Sequence, residues 1–526
     1  MPSVGYFKHR DGIKSWCRRD TSRAAAASNP RDASFPSRDR DIATSVESMA
    51  APKTSGHDAP DTPGDLAALL ERAERRYRPL IHVDQALKRQ VVSYQANKDA
   101  PFYRWFRYQE GFSTQLVDRL IDASGIKSGT VLDPFAGIAT SLFSARERGL
   151  DAIGFELLPV GPFVARARLA AEQLDPAIFD DAARDMKAID FETAPTGADT
   201  AFKHVHISEM AFPPGVERKV NAFRHHVDTT IVDQKLRDVL HLAGLAILER
   251  VSYTEKCGQF LRWDTRSGKA RVTYAKTRIV PFEDALNAQL DVMSADIHGF
   301  QARADTRVRG SMDMRQGTTF ELFGAVPAGS IDMVVSSPPY LNRYDYTRVY
   351  PLELAYLGID DAGLKKMRQA LLSCTVENRE KSSYLEALYT SQGRIPFFSE
   401  VKAAHDKNEL IGAIHRHFER LKEGSALNNP NVFRLIKNYF FEHAFVIFEM
   451  ARVLKGGGTI YYINDNVRFA GIVIPVDIIL SDIAHEAGLE TKAISTLPVG
   501  KGNSSQQMGT FGKTEVRKCI YEWRKP

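Results

Sequence analysis

Ile331-Asp332-Met333-Val334-Val335 runs directly into Ser336-Ser337-Pro338-Pro339-Tyr340. The mostly apolar first half reads as a short buried strand. Two successive prolines cannot continue it, because neither carries a backbone N–H. The chain must turn a stiff, extended corner with carbonyl oxygens pointing outward. Ser337 sets a small hydroxyl at that corner, and Tyr340 offers a flat aromatic face just after it. Fixed acceptors and a stacking platform at a strand's carboxyl end suit a planar ring with an exocyclic amine, and ligands of open α/β sheets bind at that end. Taken alone, Pro338-Pro339 also reads as a stiffened loop after a core strand.

A second stretch lies upstream: Thr130-Val131-Leu132-Asp133-Pro134-Phe135-Ala136-Gly137-Ile138-Ala139-Thr140-Ser141. A strand ends at an acid, a tight turn follows, and a helix starts near Thr140. That is how a doubly wound α/β unit opens. Gly137 lets a ligand approach the backbone, and Asp133 can accept from a ligand's ammonium group. The next strand, Ala152 to Glu156, ends in another acid, where two acceptor oxygens suit a ribose diol. No Gly-Lys-Ser/Thr follows the turn, and Gly-x-Gly-x-x-Gly is not spelled, which argues against a P-loop and against a Rossmann oxidoreductase.

Both stretches resemble the motifs of amino-directed DNA methyltransferases, the family that methylates cytosine N4 or adenine N6. The first resembles its Ser-Pro-Pro-Tyr motif, the second its Asp-Pro-Phe-x-Gly-x-Gly-Thr loop, with Ala139 where the second glycine is usual. The resemblance implies a Rossmann-like class I methyltransferase sheet of α/β type, mostly parallel, with a terminal antiparallel hairpin and two insertions. It implies S-adenosylmethionine as cofactor, held by Asp133, Phe135, Gly137, Thr140 and Glu156. It extends to Ser113 and Thr114, in the segment that lies over the methionine end of the cofactor, although an ordinary helix N-cap explains these two as well. Asp313 is the acid expected to read the adenine amine. Ser337, Pro338, Pro339 and Tyr340 are the expected catalytic corner, with the amine hydrogens accepted by Ser337 and the Pro338 carbonyl and the base stacked on Tyr340.

The 526 residues leave room for more than one structural region, and 43% hydrophobic with 26% charged content is that of a soluble globular protein. No apolar run is long enough to span a bilayer. Cys17, Cys257, Cys374 and Cys519 are scattered, which argues against a zinc site or a disulfide framework and suits a reducing cytoplasm; no metal is expected. Residues 1–60 alternate Arg with Asp, Ser and Ala and read as a disordered tail. The cofactor part is expected over 61–163, a first insertion over 164–305, the catalytic-motif part over 306–352, a second insertion over 353–430 and the remaining core over 431–526. Phe433, Ile436, Phe440, Ala444, Ile447 and Met450 recur at helical spacing and read as core.

Between Lys256 and Arg278 the first insertion turns basic, with Trp263 and Tyr274 interleaved. Its alternation reads as a β-ribbon, with Arg262, Lys269 and Arg271 as candidate phosphate contacts to double-stranded DNA. A charge-protected edge hairpin explains the same pattern. The two insertions together are the candidate target-recognition module, and Asn342 to Arg348 are expected to border a base pocket. The function expected is a site-specific cytosine-N4 DNA methyltransferase of a restriction–modification or phage-defence system, with a cognate restriction nuclease as a candidate partner. An adenine-N6 DNA or RNA methyltransferase and a non-catalytic DNA-binding subunit remain the alternatives.

Overall fold

The structure is a computed structural model that describes residues 63–258, 260–270, 273–303, 308–498, 501–502, 511–512 and 514–526. Residues 1–60, read above as a tail, and Arg271 lie outside the described residues. Eight strands form the central sheet: β1 (Ile81–Val83), β2 (Thr130–Asp133), β3 (Asp151–Glu156), β4 (Met312–Gln316), β5 (Ile331–Ser336), β6 (Leu454–Asp465), β7 (Glu490–Thr496) and β8 (Lys518–Arg524). Their spatial order is β1-β7-β8-β6-β5-β2-β3-β4. Strand β8 runs antiparallel to both neighbours, with Ile494 opposite Tyr521 and Ile463 opposite Ile520, while the other pairs are parallel. From β2 the chain winds outward through β3 to β4, then returns to β5 on the other side of β2. The strand order therefore reverses between β2 and β5, where a ligand crevice opens in such sheets.

The near-continuous apolar run of β5 reflects burial on both faces. Met333 and Val335 pack with Leu116, Val117, Leu142 and Phe143 of α2 (Thr114–Ser124) and α3 (Thr140–Glu147). Val334 packs on the opposite face with Phe440 and Ile447 of α13 (Asn431–Val453) and Ile479 of α14 (Val476–Glu486). Asp332, the polar interruption, accepts from Thr130 N at 2.9 Å and from Lys455 Nζ at 2.7 Å. The remaining long helices are α1 (Pro63–Tyr77), α4 (Val160–Ala171), α5 (Pro176–Ala188), α6 (Val216–Thr230), α7 (Gln234–Val251), α8 (Phe282–Gln301), α9 (Asp361–Ala370), α10 (Ser382–Ser391), α11 (Ile395–Lys407) and α12 (Glu409–Glu423). Helices α4 to α8 bury one apolar cluster with Phe106, Tyr108, Tyr350 and Leu352, so the first insertion shares its core with segments on either side of it. Helices α10 to α12 pack on α13 in the same cluster as the sheet.

Candidate active site

Strand β2 ends at Asp133, which is fully buried. Its carboxylate accepts from Ser141 Oγ at 2.5 Å, Ser336 Oγ at 2.7 Å and Phe135 N at 3.0 Å. Burial pushes its pKa up to about 6 against these hydrogen bonds. Asp133 thus braces the start of α3 and the end of β5 to one point. It does not line the cleft that opens above, contrary to the ligand contact expected of it.

The loop after Asp133 is squeezed from two sides. Gly137 has φ +54, and a Cβ there would stand 2.9 Å from the Tyr108 ring. From below, Gly161 of α4 lies so close that its Cβ would fall 2.1 Å from the Gly137 carbonyl oxygen. Ala139, with φ +64, forms the left-handed N-cap of α3 and is fully buried. Glu156, at the end of β3, accepts from Gly137 N at 3.0 Å and from Leu158 N at 2.8 Å. Burial raises its pKa to about 7, with the backbone N–H groups opposing the shift.

The carboxyl ends of β2, β3, β4 and β5 meet in a cleft of about 810 Å³. Phe135, Gly137, Thr140, Glu156, Ser337 and Pro339, six of the residues singled out in the sequence, line it together. Ser337 Oγ lies 3.0 Å from Tyr340 Oη, and the Tyr340 ring has the Lys518 ammonium 5.7 Å from its centroid. Burial pushes the Tyr340 phenol far above its ordinary range, so it stays neutral. Of the segment expected to border a base pocket, Tyr346 reaches the cleft wall.

Other expected residues are placed elsewhere. Ser113 is fully buried and N-caps α2: its hydroxyl accepts from Leu116 N at 3.2 Å and donates to Val91 O at 2.5 Å. Thr114 bonds Asn97, and the residues just before, Glu110, Gly111 and Phe112, form the wall instead. Asp313 sits inside the edge strand β4 with an exposed side chain paired to Arg315 at 2.7 Å. The end of that strand, Gly317-Thr318-Thr319, is what reaches the cleft. Its signal was in the sequence: Thr318 N-caps a short helix after a glycine of φ +157, the same strand–turn–helix grammar as the Gly137 loop. Tyr108, Leu371 and Leu372 also line the cleft and carry no local motif.

The basic stretch of the first insertion does contain an antiparallel hairpin, Thr254–Cys257 with Phe260–Trp263. Much of its charge is spent inside the protein. Lys256 is buried against Glu353 and Glu249, Lys276 donates to the carbonyls of Ser252 and Thr254, and Arg266 grips Asp264. Of the candidate phosphate contacts, Lys269 donates to His206 O at 3.1 Å and sits 3.6 Å from Glu209, and Arg262 lies over the Tyr274 ring at 4.8 Å.

Residues 72–159 match a family described as DNA methylase, the N6/N4 methyltransferases. The chain is 38% identical over 480 residues to the type II methyltransferase M.AvaI of Nostoc sp. strain PCC 7120, covering 88% of this chain and 94% of the relative. The M.AvaI of Anabaena variabilis matches to the same extent, and the type II methyltransferase M.BsoBI of Geobacillus stearothermophilus is 34% identical over 88% of this chain and 93% of its own. The chain belongs to the N6/N4 DNA methylase family. It is a site-specific DNA methyltransferase, and S-adenosylmethionine is its methyl donor. No solved structure matches this methylase. Among its described residues no helix is long and apolar enough to cross a membrane.

Proposed function

We propose that this methylase modifies the exocyclic N4 of cytosine in duplex DNA. The observation that carries the reading is that Ser337 and Pro339 open onto the same cleft as Gly137 and Glu156. The cleft fits the cofactor: Glu156 supplies a carboxylate at a strand end for a ribose diol, Phe135 and Leu158 supply apolar walls, and Glu110 adds negative charge for a cationic ligand. Thr318 and Thr319 line the cleft where Asp313 does not, which supports them as the readers of the cofactor's adenine amine. Asp133 holds the loop rather than the ligand.

When bound, S-adenosylmethionine supplies a methyl group already activated on sulfonium. The amine of cytosine is a weak nucleophile, because its lone pair is delocalised into the ring. Acceptors at Ser337 and the Pro338 carbonyl draw its hydrogens towards the corner and free that lone pair. Holding the two reactants in line supplies much of the remaining acceleration. The base must leave the duplex to reach the corner, where Tyr346 offers a ring on the cleft wall; Tyr340, the stacking ring expected from the sequence, does not line the cleft. The hydroxyl contact with Tyr340 holds the Ser337 acceptor in place at the corner. The relatives' type II designation supports a cognate restriction nuclease as partner. Mass spectrometry of nucleosides from DNA treated with the enzyme and S-adenosylmethionine tests the reading. N4-methylcytosine is expected, and N6-methyladenine as sole product would reject it.

A further inference from the structure

Of the two described cations expected to meet DNA, Lys269 is held by His206 O and Glu209 and Arg262 lies over the Tyr274 ring, whereas the second insertion carries exposed cations. A groove in the second insertion is lined by Lys365, Lys366, Arg368, Gln369, Glu377 and Arg379. Lys365, Lys366 and Arg379 are exposed. Among the described residues none of these three has a carboxylate in ion-pair range. The acid in the groove, Glu377, is held by Arg348 at 2.8 Å. Asp360 and Asp361, at the start of α9, are spent on Gly363 N and His206 N.

The groove is built and joined to the cleft. Gln369 Oε1 accepts from Arg379 N at 2.9 Å and Asn378 Nδ2 donates to Arg368 O at 2.7 Å, which clamps the loop carrying Arg379 onto α9. Arg368 reaches the loop after the Tyr340 corner, donating to Thr347 Oγ1 at 3.1 Å and pairing with Asp345 at 2.8 Å. Along the chain, Arg368 and Gln369 line the groove while the next three residues, Ala370, Leu371 and Leu372, line the cleft. A duplex whose target base enters the cleft therefore presents its flanking phosphates to this rim. We propose that Lys365, Lys366 and Arg379 seat the DNA backbone beside the methylated base. The proposal rests on the base-in-cleft reading above.

The test is the salt dependence of binding to fluorescein-labelled mixed-sequence duplex DNA, followed by anisotropy on the full chain. Each phosphate contact contributes about 0.9 to the slope of log affinity against log salt. The variant K365A/K366A/R379A should bind more weakly and show a slope shallower by about 2–3, with its S-adenosylmethionine affinity by calorimetry unchanged. The charge-conserving K365R/K366R/R379K should keep the wild-type slope. An unchanged slope in the alanine variant, with wild-type DNA binding intact, would overturn the proposal and leave the base-in-cleft reading standing. Loss of the slope in the charge-conserving variant would also overturn it. A wild-type protein that binds no duplex would overturn both.

Discussion

Ala139 occupies φ +64, a conformation that costs an L-residue about 1–2 kcal/mol and glycine nothing. Glycine there would relieve that strain but lose a buried methyl and gain unfolded-state freedom, each worth about 0.5–1 kcal/mol. Ala139→Gly is therefore expected to change stability by less than about 1 kcal/mol in urea titration, which explains how the chain departs from the usual glycine without losing its loop. Gly137→Ala is different, because it meets both a left-handed φ and the Tyr108 ring. It should lower stability by about 1–3 kcal/mol in urea titration, the strain of such a residue, and weaken S-adenosylmethionine binding by calorimetry, because the displaced loop lines the cleft. Glu156 adds a pH dependence. Its carboxyl rises from an ordinary 4.5 to about 7 in the folded protein. Its contribution to stability is thus full below pH 4.5 and lost as pH rises through about 7, and Asp133, raised from 3.8 to about 6, acts in the same direction. The ionised form is the one that accepts from a diol, so cofactor affinity should rise from pH 6 to pH 8 and level off. Glu156→Gln should flatten that profile, and Glu156→Ala should weaken binding by about 1.5–3 kcal/mol. Affinity independent of pH in the wild type would show that Glu156 faces away from the ligand.

At the scale of elements, one buried ion pair docks the second insertion on the core. Lys381 Nζ lies 2.9 and 3.0 Å from the two oxygens of Glu442 on α13, and Ser373 donates to the same carboxylate through N at 2.7 Å and Oγ at 2.5 Å. Ser373 directly follows the cleft residues Leu371 and Leu372. Removing one partner of a buried pair costs about 3–5 kcal/mol, whereas an apolar pair of similar volume is often neutral. Glu442→Leu alone should lower stability by that amount in chemical denaturation, and the double variant K381M/E442L should recover most of it. Additive losses would show that the pair is not coupled. Nothing near Lys381 or Glu442 in the chain announces this contact, since 61 residues separate them. The same limit hid the fate of Lys256 and Lys276. Alternation showed a hairpin, but Glu249 on α7 and Glu353 further on arrive through tertiary packing. Asp313 failed for a local reason: it precedes the end of β4, where the side chain points to solvent at the sheet edge, and the chain reaches the cleft only at Gly317.

For the molecule as a whole, what could be read in advance was whatever a short stretch decides by itself. The β5 run with its proline corner, the glycine loop after β2 and the acid ending β3 each carry their own chemistry, and the sheet brings Gly137, Glu156, Ser337 and Pro339 into one cleft. The reversal of strand order between β2 and β5 is the reason, because it places the two motifs on adjacent strand ends despite their separation in sequence. What stayed hidden was supplied across the fold, as with Tyr108 from the segment before α2 and Leu371-Leu372 from the second insertion. We propose that the Ser337 corner acts in the transfer step rather than in holding the cofactor. Single-turnover methyl transfer to duplex DNA by Ser337→Ala, at saturating S-adenosylmethionine with its affinity measured in parallel, tests this most directly. The predicted result is a rate lowered by about tenfold or more, a loss of one charge-developing hydrogen bond of about 1.5–3 kcal/mol, with cofactor affinity unchanged. A wild-type rate in this variant would contradict the claim.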